Sequence, residues 1–436
     1  MDDGFLSGDA RARLNGLLDA PQPVPRVLYP EDASAIAVEG ELDHRRVVAV
    51  TTDPARASGA IGRADAEVFL AAIRHAQEQR LPLVLLLDSA GAMLTEGVRV
   101  LGAFRRLHHA LLDARAASLP VAAVLGRNCY GGASLLAYLT DLRICPRGSR
   151  LGLSGPRALS VLIPRTYADN EIQALYSCES RARHDEDAVL VTDDAKAVRS
   201  VLLAWLAQPR ARTDAVARTR IVLTRRLRMY RGDPTTLSTQ PPPPELEARL
   251  DHLFAQGWSA CYSDAVVWGD GWMEGRNTSF AGFVSGRTVD AFGCWRLIEV
   301  LREFSRDPAG LPITLLLDSP GQAADVVNEQ VILSEFVARV SEILYRLRVQ
   351  GRTVELWMIG EAGGAIYVAL AAAATTITAW PGLRLQTIPP AAVNQVVGER
   401  TDQKPTISAL FEARVIDRWT RSPGFGEWPT QPHPPA

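Results

Sequence analysis

Two short stretches hold the residues best suited to chemistry. In Asp88-Ser89-Ala90-Gly91-Ala92 an acid and a glycine turn follow the apolar run LPLVLLL; in Cys129-Tyr130-Gly131-Gly132 a glycine pair precedes a second apolar run. Both read as turns from a buried strand into a helix. Backbone N–H groups at a helix start are unpaired and carry the positive end of its dipole. Glycine lets a ligand approach that backbone and permits positive φ angles. N–H groups from Gly91, Ala92, Gly131 and Gly132 meeting at one point would make an oxyanion hole, able to hold the negative oxygen of a thioester enolate. Tight strand–helix packing also uses such glycines. Two features favour a ligand role: both turns fall at the C-terminal ends of neighbouring parallel strands, and both recur as Gly321-Gln322 and Gly363-Gly364.

Other chemistries fit less well. The chain has no phosphate-cradling G-x-x-x-x-G-K-[ST], no G-x-G-x-x-G in strand–helix context and no G-x-S-x-G nucleophile elbow. His108 and His109 are neighbours on a helix, point in different directions and read as surface or interface residues. Cys129, without a histidine nearby in sequence, reads as a small buried residue under its turn. The five cysteines form no CxxC pair, so no zinc ribbon or iron–sulfur framework is expected, no metal site is assigned, and a reducing compartment is implied.

The elements that must position these turns are written twice. LPLVLLLDSAGA and LPITLLLDSPGQ place Asp88 and Asp318 at an offset of 230 residues; CYGGASLLAYL and EAGGAIYVALA follow at 232, and SRLGLSGP and LRLQTIPP come after them. Each half reads strand, loop, helix, strand, glycine turn, helix, strand, with twisted strands ahead of it (35–53 and 279–293). Val98, Leu101, Phe104, Leu107 and Leu111 mark one helix face, and Leu333, Phe336, Val337, Val340 and Leu344 another. Continuous apolar strands alternating with helices imply an α/β fold with a largely parallel sheet in each half. The segment 207–244 holds an arginine-rich run and four prolines that neither a helix nor an inner strand should accept, so it reads as a linker between domains at 1–206 and 245–436.

Composition sets outer bounds. At 436 residues, 47% hydrophobic and a net charge of -2, the chain has ample core material and lacks the basic excess of a nucleic-acid binder. The N-terminus shows no secretory signal and no apolar run convincingly spans a bilayer; a soluble, cytoplasmic protein is expected.

The blocks LLLDSAGAMLTEGVRVLGAF, CYGGASLLAYLTDLRICPRGSRLGLSGP and LLLDSPGQAADVVNEQVILSEFVARV resemble the carboxyltransferase branch of the crotonase/ClpP superfamily, over roughly residues 5–206 and 245–400. They are most like a fusion of the beta and gamma subunits of biotin-independent malonate decarboxylases. The resemblance implies two tandem crotonase/ClpP-like ββα-superhelix domains. It also implies decarboxylation of a malonyl-type thioester, carried on the phosphopantetheine of an acyl carrier protein or of coenzyme A, with no tightly bound cofactor. Gly91, Ala92, Gly131 and Gly132 would then hold the thioester oxygen, with Gly363 and Gly364 facing the departing carboxylate. Tyr130, Ser154, Gly155, Gly321, Gln322 and Glu361 are the candidate substrate contacts. Tyr130, Glu361 and Arg157 are open choices for the proton donor.

The chain also departs from that pattern. Gamma-type sequences carry Ser-Gly-Ala where this one has Gly363-Gly364-Ala365, and a Met-Gly pair where it has QTIPPAA. The stretch 163–185 does not follow the beta subunit closely. Neither Lys196 nor Lys404 has a biotin-carrier context, and no carrier domain is fused. A carboxyltransferase served by a separate biotin carrier, and a non-catalytic assembly subunit, therefore remain alternatives. Arg225, Arg226 and Arg228 read either as a solvated linker face or as a docking patch for an acidic carrier. The two halves meet within one chain or across a homodimer.

Overall fold

The computed structural model describes residues 4–25, 29–162, 168–208, 215–307, 310–389, 393 and 405–420. Strands β4 (Leu83–Ser89) and β12 (Ile313–Leu317) are buried at every position and lie within two separate sheets. A strand apolar on both faces needs cover on both faces, and helices supply it.

The first sheet runs β1 (Asp19–Pro23), β2 (Ile36–Leu42), β3 (Arg45–Thr51), β4, β5 (Val121–Tyr130), β6 (Leu142–Pro146) and β8 (Ala188–Val191). β7 (Arg150–Gly152) pairs with the far end of β5. β1–β2 and β2–β3 are antiparallel and the later pairings parallel. The second sheet repeats the plan: β9 (Trp258–Ser263), β10 (Val266–Met273) and β11 (Arg276–Phe283) are antiparallel. β12, β13 (Val354–Met358), β15 (Thr376–Ala379) and β17 (Arg418–Trp419) continue in parallel. β14 (Glu361–Gly363) and β16 (Arg384–Gln386) form a separate two-stranded piece, which corresponds to the end of β5 with β7. Sequence duplication and sheet topology thus agree.

The halves share one continuous core. Helix Arg99–Ala116 of the first packs on helix Gly364–Ala373 of the second, and helix Gly132–Tyr138 on helix Leu333–Val349. Approach is close enough that Gly102 has no room for a side chain: a Cβ there would fall 1.7 Å from the Ala413 carbonyl oxygen. Polar ties ring this contact, with Tyr345 donating to Asp113 at 2.8 Å and Arg105 pairing with Asp417 at 2.7 Å. His109 meets the Ala372 carbonyl at 2.8 Å, an interface role as expected. His108 is not a surface residue: it is fully buried in the core, and burial holds its pKa down at about 3.

The segment 207–244 is more than a tether. Its arginine-rich run forms helix Ala215–Tyr230, which packs on helix Ala291–Arg306 through its buried side. Pro244 opens helix Pro244–Leu253 instead of standing outside it, since the first helical position has no use for an N–H. Among the described residues no helix is long and apolar enough to cross a membrane.

Candidate functional site

Each acid–glycine turn is built the same way. Asp88 is almost fully buried, accepts the Asn128 N–H at 3.0 Å and pairs with Arg13, from helix Ala10–Leu17, at 2.8 Å. Asp318 likewise accepts the Glu361 N–H at 2.8 Å and pairs with Arg249 from helix Pro244–Leu253. These carboxylates fasten β4 to β5 and β12 to β14 and are not offered to a substrate. Gly126 and Gly360 are small because Asp88 and Asp318 occupy the space their Cβ atoms would need.

The glycine turns touch in both halves. A Cβ on Gly91 (φ +109°) would lie 3.2 Å from the Tyr130 carbonyl oxygen and 3.5 Å from the Gly131 Cα. A Cβ on Gly321 (φ +133°) would lie 3.3 Å from the Gly363 oxygen and 3.5 Å from the Gly364 Cα. The spatial equivalent of Gly131 is therefore Gly364, both with positive φ near +55° (57° and 54°). The correspondence in sequence, Gly131 with Gly363, is corrected by one residue, and Ala365 stands where Gly132 stands.

Hydrogen bonding then sorts the donors. Gly91 donates to Ser89 Oγ at 3.0 Å, and Gly131 to the carbonyls of Gly152 and Leu153 at 3.2 and 3.1 Å. Both N–H groups are spent within the turns, so Gly91 and Gly131 shape the site and do not serve as its donors. Ala92 and Gly132 follow them directly, and among the described residues neither N–H has a hydrogen-bond acceptor. Gly132 is small because the Phe104 ring fills its side-chain space, 2.2 Å from where a Cβ would sit.

The second half differs at this point. Gly321 donates to Ser319 Oγ at 3.3 Å, as Gly91 does to Ser89. Gln322, at the position of Ala92, turns its carboxamide oxygen onto the Ala365 N–H at 2.8 Å. One donor of the second pair is thus occupied by the chain itself. Gln322 caps a helix where the sequence suggested a substrate contact, and Gly363 lies in the β14–β16 ladder opposite Gln386.

The remaining candidates separate clearly. Tyr130 is buried between helices Pro156–Leu162 and Asp169–Tyr176 and the second half's Val326, edge-on to Tyr176 and against Gly155. Burial pushes its phenol up to about 12, with Arg150 and Arg181 opposing, so it stays protonated. Ser154 is buried; its N–H donates to Glu329 at 2.6 Å and its carbonyl accepts from Tyr176 at 2.7 Å. Glu361 holds Arg384 at 2.7 Å, and Arg157 is exposed. Cys129 is fully buried and its thiol is pushed well up by burial, as suits a small residue under the turn.

The arginine patch needs a correction. Arg226 is 2% exposed, pairs with Glu335 at 2.7 Å and donates to the carbonyls of His184 and Val331. It cannot meet a partner. Arg225 and Arg228 are exposed and line, with Ile221 and Met229, a groove of about 470 Å³ on helix Ala215–Tyr230. The sequence carried a signal for this: Leu223, Arg226 and Leu227 share the buried helical stripe.

Glu329 was not anticipated. It lies in helix Val326–Gln330 of the second half, 2% exposed, with both carboxylate oxygens reaching into the first half.

The chain is 27% identical over 363 residues to the acetyl-coenzyme A carboxylase carboxyl transferase subunits beta/alpha of Salinispora arenicola, covering 76% of this chain and 61% of that protein. The propionyl-CoA carboxylase beta chain of Rhodococcus erythropolis is 34% identical over 149 residues, 34% of this chain and 31% of its own length. The chain thus spans about 61% of the first of these relatives. A Pseudomonas malonate decarboxylase MdcD-MdcE hetero-dimer is 26% identical with a TM-score of 0.42, over 50% of this chain and 96% of that one. A transcarboxylase 12S structure is 18% identical with a TM-score of 0.39, over 94% and 86%. Both scores are too low for residue-by-residue correspondence. The two sheets are tandem crotonase-like units of the carboxyltransferase type. A carboxyl transferase domain model matches residues 29–413, a span that takes in both acid turns and both glycine pairs, and the chain belongs to the carboxyl transferase domain family.

Proposed function

We propose that the chain decarboxylates a malonyl-type thioester, bound to an acyl carrier protein or to coenzyme A, to the corresponding acyl thioester. The C–C bond to the carboxylate breaks, carbon dioxide leaves, and the electron pair passes into the thioester as an enolate. Ala92 and Gly132 N–H hold the enolate oxygen; removing one such donor typically costs about 10² to 10³ in rate. A proton then goes to the α-carbon. Of the three acids considered Tyr130 fits best, being protonated and adjacent to Gly131, whereas Glu361 is engaged by Arg384 and an arginine at position 157 does not give up its proton at neutral pH.

The observation that carries this reading is the asymmetry between the halves. Carboxyl transfer has two partners, each with negative charge to be held as the carboxyl group leaves or arrives. Decarboxylation has one. Here one pair of turns offers two unengaged N–H groups, and the other has a donor capped by Gln322.

A second reading is carboxyl transfer to or from a separate biotin carrier, favoured by the names of the acetyl-coenzyme A carboxylase relatives. Mass spectrometry of malonyl-CoA and malonyl-carrier protein incubated with the purified chain separates the two. Loss of carbon dioxide without biotin supports decarboxylation. Turnover only with an added biotin carrier supports transfer. No turnover under either condition overturns both and leaves a non-catalytic assembly subunit.

A further inference from the structure

Gly131 cannot hold its position alone. Its N–H is gripped by the carbonyls of Gly152 and Leu153, so the placing of Gly132 depends on the loop that follows β7. That loop is held from outside its own half. The N–H groups of Leu153 and Ser154 donate to Glu329 at 3.2 and 2.6 Å, and Glu329 also takes Arg181 Nη2 at 2.8 Å.

The reach of Glu329 is fixed in turn. Asp325 caps its helix by accepting the Asn328 N–H at 2.8 Å, and Asn328 Oδ1 accepts the Ala291 N–H at 3.0 Å. The carboxylate therefore stands on the body of the second half. Burying a charge is costly unless it is paired and hydrogen-bonded. Elsewhere the halves are joined by apolar packing, by the Ser134–Ser334 hydroxyl contact, by Arg226 bridging the His184 carbonyl and Glu335, and by pairs such as Arg105–Asp417. A buried acid aimed at two backbone amides does more than join them.

We propose that Glu329 is a positioning residue for the first half's oxyanion turn: the second half, with one donor of its own pair capped, holds the loop that holds Gly131. The inference rests on the decarboxylation reading for its kinetic consequence, though not for its structural one. Burial pushes the Glu329 carboxyl up, while Arg181 and the two amides pull it back. A glutamine at this position keeps one acceptor oxygen and turns a carboxamide N–H group toward groups that are themselves donors, so the loop loses part of its hold.

The test compares the full-length chain with Glu329→Gln and with Tyr345→Phe, which removes an inter-half hydrogen bond to Asp113. Hydrogen exchange is read by mass spectrometry on peptides covering 129–133 and 150–155, together with kcat and KM on malonyl-CoA. In Glu329→Gln both peptides exchange at least about tenfold faster while β4 keeps its protection. At the same time kcat falls about tenfold or more with KM nearly unchanged, because small displacements of a catalytic group are costly. Tyr345→Phe matches the unaltered chain in every reading. Glu329→Asp keeps the charge but draws it back by one methylene; it moves exchange and kcat the same way by less, and serves if the glutamine variant does not fold. Unchanged exchange at 129–133 in both Glu329 variants overturns the proposal, as does an equal effect from Tyr345→Phe. An unaltered chain without decarboxylase activity, together with faster exchange in Glu329→Gln, sinks the reaction and supports the brace.

Discussion

Gly91→Ala and Gly321→Ala apply one physical insult to two turns of different proposed use. Each puts a Cβ on a residue with φ above +100° (109° and 133°), and each drives it toward a carbonyl oxygen at 3.2 and 3.3 Å, that of Tyr130 or of Gly363. Strain of this kind costs about 1–3 kcal/mol. For a unit of about 200 residues each kcal/mol lowers Tm by roughly 2–4 °C, so both variants should lose a few to about 10 °C by calorimetry. Their kinetics should differ. In Gly91→Ala the clash separates the turns bearing Ala92 and Gly132, and kcat on malonyl-CoA falls about 10²-fold, with kcat/KM falling in parallel. In Gly321→Ala the disturbed pair already has a donor capped by Gln322, and kcat stays within about threefold. Equal losses of kcat in the two variants, or a Gly91→Ala enzyme of normal kcat that is destabilised as expected, would refute the assignment of the working hole to the first half.

Four further predictions follow from particular side chains. Gln322→Ala removes the cap on Ala365, which should cost about 1 kcal/mol in a thermal melt and speed exchange of the Ala365 amide. Arg226→Ala removes the 2.7 Å partner of the buried Glu335, leaving Arg339 at 3.5 Å to offset its charge, and should cost up to about 3–5 kcal/mol. Arg225→Glu with Arg228→Glu should instead fold normally and raise KM about tenfold for a carrier-bound substrate, leaving the coenzyme A substrate unaffected; equal KM for the carrier substrate ends the docking idea. His108 titrates near 6.5 when unfolded and at about 3 when folded, so the unfolded chain takes up the proton first as pH falls. The stability attached to its neutral form is complete above pH 6.5 and is lost below it at up to about 1.4 kcal/mol per pH unit. His108→Leu should flatten that slope in denaturation curves at pH 7 and pH 5.

Much of this could be read before folding. The apolar runs ahead of Asp88 and Asp318 announced buried parallel strands, and the repeated acid and glycine turns announced a duplicated unit. What escaped depends on distances that sequence order does not encode. Gly363 and Gly364 look alike as letters, and only the φ angle shows that Gly364 takes the part of Gly131. Gln322 looked available because its acceptor role is local to a helix 43 residues on. Arg226 reads with Arg225 and Arg228 as an exposed face, although helical phase sets it beside Leu223 and Leu227. Glu329 had no local signal, since its partners are 175 and 176 residues away.

That separation also has a meaning in time. Arg13 leaves the ribosome well before Asp88 needs it, so the clasp under the first turn can close as soon as β4 is made. The carboxylate that holds Leu153 and Ser154 emerges 175 residues after Ser154, which at about 5–20 residues per second is a wait of roughly 10–35 s. A nascent first half can complete its sheet in that interval and still lack a finished anion cradle. Chains ending between residues 206 and 329 should therefore carry the whole first sheet while the loop at Leu153 and Ser154 lacks its Glu329 brace.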